Sequence, residues 1–237
     1  MSDSRPGVDS YENTRSQLEN YFDRTAVDAW SKLTSDAPVS RIRATVRAGR
    51  EAIRDTLLSW LPADLSGARL LDAGCGTGLL AAEAARRGAD VTAVDLSPNL
   101  IRLARERVPD SVGRGTIDFR EGDMLDPALG RFDYVVAMDS IIHYNAWDIR
   151  DMLAAMTERA EHAVLATYAP RTPLLTLMHA AGRLFPRSDR APLIKPISQR
   201  RIKRLLSDEP RMADWQTARS QRVATRFYIS QALEIVR

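Results

Sequence analysis

The stretch Leu70-Leu71-Asp72-Ala73-Gly74-Cys75-Gly76-Thr77-Gly78 decides the fold, because it reads as a short buried strand that runs into three alternate glycines and then into the helical run Leu79 to Arg87. Glycines at alternate positions let the backbone turn tightly and approach a ligand with no Cβ in the way, and the helix that follows offers its positive N-terminus. Working outward, a second strand, Val91 to Val94, ends at Asp95, 23 residues beyond Asp72. A carboxylate there can accept hydrogen bonds from both hydroxyls of a ribose. A third strand, Ile117 to Arg120, leads into Glu121-Gly122-Asp123-Met124, a carboxylate beside an apolar side chain, suited to the amino group and flat face of adenine. The three strand ends together outline a nucleoside site.

The spacing says which nucleosides are disfavoured. A dinucleotide fingerprint needs G-x-G-x-x-G/A, and counting from Gly74 puts Leu79 at the last position. A phosphate-binding P-loop needs Lys and Ser/Thr after the glycines, whereas Gly78 is followed by Leu79-Leu80. Asp-Ala-Gly-Cys-Gly-Thr-Gly, an acidic end to the second strand and Gly-Asp after the third resemble the class I S-adenosylmethionine-dependent methyltransferases, over roughly residues 66–169. The resemblance implies S-adenosylmethionine as cofactor and S-adenosylhomocysteine as product. It also implies Gly74 and Gly76 beside the methionine part, Asp95 and Leu96 at the ribose, and Asp123 with Met124 at the adenine. Met138 and Asp139 would line the methionine side, and Asp72 would hold the loop and the methionine ammonium. Cys75 reads most simply as a small loop residue, since nothing in the sequence places a base beside it.

The remaining pattern extends the alternation. A helix begins near Val39, with Ile42, Val46, Gly49, Ile53, Leu57 and Leu61 on one face, arginines on the other, and Pro62 to end it. Pro98 to Arg107 is a helix with Ser97 as its N-cap, and strands at Phe132–Met138 and Ala163–Tyr168 flank a helix from about Asp148 to Arg159. After a helix near Ser198–Ser207, two strand-like runs, Trp215–Val223 and Phe227–Val236, close the chain. The expectation is a Rossmann-like α/β fold: a seven-stranded, mostly parallel sheet with a C-terminal antiparallel hairpin and helices on both faces. Residues 1–40 read as an N-terminal arm and 41–237 as the catalytic domain. An insertion or lid over about 170–197 carries five prolines.

Composition narrows the class. At 237 residues, 44% hydrophobic and 27% charged, the chain can bury one sizeable core and is not a disordered polymer. A lone cysteine excludes an internal disulfide and a Cys-rich zinc site, and it fits a reducing compartment. The polar start MSDSRPGVDS does not read as a signal peptide, and no run approaches the ~20 apolar residues of a membrane span, so a cytoplasmic location is expected. The net charge of +3 hides an asymmetry, since residues 171–226 hold 13 basic against 4 acidic side chains and the rest hold 21 against 27. A local basic surface of this kind suits an anionic partner or simply forms a solvated face.

The methyl acceptor is read from the segment after the fourth strand, Met138-Asp139-Ser140-Ile141-Ile142-His143-Tyr144. It lacks the Asn/Asp-Pro-Pro-Tyr/Phe of adenine-modifying enzymes. Together with the Tyr21-Phe22 to Trp30 spacing, Ala169-Pro170-Arg171-Thr172-Pro173, Leu184-Phe185-Pro186-Arg187-Ser188-Asp189-Arg190-Ala191-Pro192 and Thr225-Arg226-Phe227-Tyr228, it looks like the magnesium-protoporphyrin O-methyltransferase family of bacteriochlorophyll and chlorophyll synthesis. That resemblance implies Mg-protoporphyrin IX as substrate, with one propionate esterified. It also implies docking to the porphyrin-binding subunit of magnesium chelatase, and peripheral contact with the photosynthetic membrane. His143 is then the catalytic candidate, and Tyr21, Trp30, Tyr144, Arg171, Arg187 and Arg190 the substrate candidates; no resident metal and no nucleic acid are expected. Three rivals remain open on sequence: a methyltransferase with another small acceptor, an RNA methyltransferase using the basic stretch, and a non-catalytic cofactor-binding partner of the chelatase.

Overall fold

The computed structural model describes residues 10–24, 40–109, 111–171 and 193–237. The first helix, α1 (Ser10–Arg24), is followed by α2 (Arg41–Trp60), which starts where the Ser40 hydroxyl accepts the Arg43 amide and stops at Leu61, before Pro62. The chain then alternates β1 (Arg69–Ala73), α3 (Leu79–Arg86), β2 (Asp90–Asp95), α4 (Pro98–Arg107), β3 (Ser111–Val112), β4 (Gly115–Glu121), β5 (Phe132–Ala137), α5 (Ala146–Arg159) and β6 (Ala160–Tyr168). It closes with α6 (Gln199–Ser207), β7 (Gln216–Ala224) and β8 (Ile229–Val236). As expected, Ser97 caps α4 through the Leu100 amide, with Pro98 in the first turn.

The sheet order is β3-β4-β2-β1-β5-β6-β8-β7. β4, β2, β1, β5 and β6 run parallel, β8 lies antiparallel between β6 and β7, and β3 pairs antiparallel with β4. The expected seven strands are therefore eight. The extra one is a two-residue hairpin arm returning through Gly113, too short for periodicity to reveal. A second difference is the start of α5, where the Asn145 side chain accepts the amides of Trp147 and Asp148 and so begins the helix two residues early.

Both faces of the sheet are covered, so β1 needs no polar alternation. Leu70 and Leu71 point to opposite sides and neither is exposed. Leu71 packs in a cluster with Ile149, Met152 and Leu153 of α5 and Ile202 and Leu205 of α6, and Leu70 packs in one with Ile53 and Leu57 of α2, Leu80 of α3 and Ile101 of α4. Each such leucine contributes about 1.5–3 kcal/mol of burial. β1 has β2 on one side and β5 on the other, so the strand order reverses beside it, and the crevice outside the carboxyl ends of these strands is where this topology takes a ligand.

Candidate active site

One cavity opens at that crevice, lined by the loop after β1, the ends of β2, β4 and β5, and the helices α1 and α2. The loop is shaped by glycine. Gly74, Gly76 and Gly78 have φ of 84°, 55° and 76°. A Cβ on Gly74 would stand 2.4 Å from that of Ser140, whereas one on Gly76 would meet nothing within 4 Å, so Gly76 is where the backbone faces open space. Asp95 fixes this turn, its two carboxylate oxygens accepting the amides of Gly76 at 2.8 Å and Ser97 at 3.0 Å. Its pKa is nevertheless raised, because burial outweighs those bonds. Asp72, 1% exposed beneath the loop, accepts the Ala81 amide at 3.2 Å. Burial, with the Asp95 charge adding to it, pushes its carboxyl up to about 7. Burial likewise pushes the Cys75 thiol up, the opposite of what a nucleophile needs.

At the β4 end of the cavity, Asp123 accepts the Tyr11 hydroxyl at 2.6 Å and the Leu125 amide at 2.8 Å on one oxygen, and pairs with Arg15 at 3.4 Å on the other. Tyr11 and Arg15 come from α1, which is strapped over this end. Ser10 donates to Asp148 at 3.0 Å, and Asp23 accepts from the Asn99 side chain at 2.9 Å. Tyr11 stacks on Tyr144, with ring centroids 5.2 Å apart.

The β5 end is built differently. Asp139, the one non-glycine residue with positive φ (55°) among the described residues, receives the Tyr228 hydroxyl on both oxygens at 3.0 and 2.9 Å. It also takes Arg50 Nη1 at 2.6 Å and the hydroxyls of Thr167 at 3.1 Å and Ser230 at 3.4 Å. Gly49 lets α2 sit this close, since a Cβ there would be 2.4 Å from the Tyr228 ring. The single turn Ile141–His143 follows, and His143, 9% exposed, reaches the cavity with Phe22 of α1 set edge-on 6.0 Å away. Arg47, Arg50, Glu51 and Arg54 complete the α2 wall.

The expected cofactor residues Asp72, Gly74, Gly76, Asp95, Leu96, Asp123, Met124, Met138 and Asp139 thus share one cavity with His143. Two details refine the expectation. The Asp139 carboxylate lines the cavity as expected and is also engaged by side chains from α2, β6 and β8, which fix it as wall. Tyr144, expected on the acceptor side, lines the same cavity and is buried beneath Tyr11 near Asp123. Two substrate candidates lie off the cavity: Tyr21 packs edge-on against Phe22, and Arg171 is exposed, its amide donating to Ile197. Trp30, Arg187 and Arg190, with most of the expected lid, lie outside the described residues. The sequence reading missed the α2 arginines, whose face reads as solvated, and Tyr228, which is 89 residues from its partner Asp139.

These groups fit S-adenosylmethionine. The Gly76 backbone faces unfilled space, Asp95 offers lone pairs to a diol and Asp123 to an amino group, and Asp72 flanks the end that an amino acid would occupy. Among the described residues no group of metal ligands is found, and no helix is long and apolar enough to cross a membrane.

Comparison with known proteins agrees with this geometry. The family described as the magnesium-protoporphyrin IX methyltransferase C-terminus matches residues 137–237, and a methyltransferase domain matches residues 70–162. The magnesium-protoporphyrin O-methyltransferase of Rhodobacter capsulatus is 49% identical over 225 residues, 94% of this chain and 97% of that one. That of Synechocystis is 29% identical over 93% and 95% of the two chains. A crystal structure of the Synechocystis magnesium protoporphyrin IX methyltransferase with bound SAH is similar with a TM-score of 0.82 at 28% identity, covering 94% of this chain and 99% of that one.

Proposed function

The chain belongs to the magnesium-protoporphyrin O-methyltransferase family, and on that premise we propose that its cavity holds S-adenosylmethionine beside a propionate of Mg-protoporphyrin IX and transfers the methyl group to it, a step of chlorophyll-type pigment synthesis. The observation that carries this reading is that the nucleoside-type residues Asp95 and Asp123 and the β5-end residue His143 open into a single cavity walled by arginines. Bound there, the cofactor supplies an electrophilic methyl group on its sulfonium.

The work left to the protein is alignment. A propionic acid has a pKa of about 4–5 and is already the nucleophilic carboxylate at neutral pH, so no strong base is required. Gly74 and Gly76 hold the methionine part, Asp95 and Leu96 the ribose, and Asp123 with Met124 the adenine. Asp72 and Met138 close the methionine side. His143 makes an orienting contact to the reacting carboxylate, and Phe22 against its ring keeps water from that side. A bidentate guanidinium on the reacting oxygens would occupy their lone pairs, and Arg50 avoids this by being tied to Asp139.

The test is methyl transfer by the purified protein from S-adenosylmethionine to Mg-protoporphyrin IX, beside metal-free protoporphyrin and His143→Ala. A monomethyl ester formed with the magnesium substrate, and turnover lowered about 10- to 100-fold in the variant with cofactor binding unchanged, is expected. Cofactor binding without product would mean that the acceptor is another molecule. We also propose a cytoplasmic enzyme that docks on the porphyrin-binding subunit of magnesium chelatase and touches the membrane peripherally. Exposed Arg200 and Lys203 on α6 and Arg222 and Arg226 near β7 support that reading. Co-sedimentation with anionic vesicles, and with the chelatase subunit, tests each contact separately.

A further inference from the structure

The α2 wall sets three arginines and one glutamate against the cavity. The helix descends from the rim, where Arg41, Ile42 and Arg43 are exposed, to the core, where Ile53, Leu57 and Leu58 are buried. Arg47, Arg50 and Arg54 all line the cavity, and the 2.6 Å bond from Arg50 to Asp139 fixes the depth of the stripe. At 1.5 Å per residue, Arg47 lies about 5 Å nearer the rim than Arg50, and Arg54 about 6 Å deeper. Glu51, one turn inward from Arg47, is the carboxylate on the same wall.

We infer that Arg47 is the docking group for the second, non-reacting carboxylate of the acceptor, and that it selects dicarboxylic porphyrins and sets which way they enter. This rests on the porphyrin reading of the site. The two propionates of protoporphyrin leave neighbouring pyrroles along one edge of the macrocycle. When one carboxylate is at the depth of Asp139 and His143, the other lies on the rim side of it, because the cofactor held at the glycine loop would take the deep side. Among the described residues Arg47 is the cavity-lining cation at that height. Its fork can hold a carboxylate tightly there, since that carboxylate attacks nothing. Glu51 repels a carboxylate seated deeper, which keeps the spectator group at Arg47 rather than at Arg50. The apolar macrocycle would rest toward Leu79, 39% exposed although it lines the cavity.

The experiment is a fluorescence titration of the full chain, saturated with S-adenosylhomocysteine, with Mg-protoporphyrin IX and with a magnesium porphyrin carrying a single propionate. The wild type, Arg47→Gln, Arg47→Lys and Glu51→Gln are compared. The wild type is expected to bind the diacid about 10- to 100-fold tighter than the monoacid, the range of a charge-assisted hydrogen bond. Arg47→Gln removes that preference and leaves both monoacid and S-adenosylhomocysteine affinity unchanged. Arg47→Lys keeps part of the preference, and Glu51→Gln increases it. Equal binding of the two porphyrins by the wild type overturns the inference, as does an equal loss for both, or a loss of S-adenosylhomocysteine affinity, in Arg47→Gln. Preference for the diacid without its methylation leaves the docking role standing and refutes the proposed reaction, whereas failure to bind either porphyrin refutes both.

Discussion

Asp123 and Asp139 are two carboxylates at opposite ends of one cavity, and they are held in opposite ways. The side chains on Asp123 both come from α1, a phenol at 2.6 Å and an arginine at 3.4 Å. Those on Asp139 come from α2, β6 and β8, and the residue keeps a left-handed backbone conformation as well. A ligand amino group can take the place of the Tyr11 phenol on Asp123 at little cost, because one neutral donor replaces another on the same carboxylate. Nothing similar can be done at Asp139 without stranding a guanidinium and three hydroxyls. One end of the cavity therefore exchanges partners and the other is fixed wall, so the electrophile is placed against the fixed end.

The most severe way to break this contrast is Asp139→Ala, which leaves Arg50 without its carboxylate and should cost about 3 kcal/mol in urea unfolding; a loss below about 1 kcal/mol would show that the network is decorative. Gly74→Ala asks whether the fixed end extends into the loop. Positive φ together with the 2.4 Å approach to Ser140 should cost about 2 kcal/mol and weaken cofactor binding more than tenfold. Normal cofactor affinity in that variant would place the rigid boundary beyond the loop.

Asp72 lies between the two ends and carries a pH signature. Its folded pKa of about 7 is above the ordinary 3.8, so the folded protein holds a proton that the unfolded chain has released. The stability it contributes is complete below about pH 4 and is lost as the pH rises through 7. Asp72→Asn should consequently gain melting temperature relative to the wild type between pH 5 and pH 8, and a constant offset would contradict this. The smallest effect belongs to the exchangeable end. Tyr11→Phe should change stability by about 1 kcal/mol at most. It should leave cofactor affinity equal or up to about fivefold tighter, because adenine no longer competes with the phenol. A weaker affinity would make Tyr11 part of the binding site instead of its placeholder.

The parts of this design that were legible in the sequence are those that depend on neighbours along the chain. Ser97-Pro98 announces α4, and the Gly74–Gly78 turn with Asp95 and Asp123 follows from strand ends spaced at regular intervals. What escaped depends on distance. α2 reads as an amphipathic helix with a solvated arginine face, because only the sheet beneath it reveals that part of this face borders a cavity. Tyr228 gives no local signal, since its role exists only once β8 lies beside β6. Tyr144 was readable from its place after the strand exit and does line the cavity, but its stacking under Tyr11 exists only once α1 has docked there.

The position of β8 also bears on how the protein is made. The strand enters the sheet between β6 and β7, yet it follows both of them along the chain, and it brings Ser230 and, just before it, Tyr228 to Asp139. A chain still on the ribosome can already contain the whole glycine loop, Asp95 and Asp123, but the opposite wall is missing two of its donors until β8 has been made. The nascent chain thus holds the nucleoside half of the site well before the half that receives the methyl group, and losing residues 228–237 would remove the second half while sparing the first.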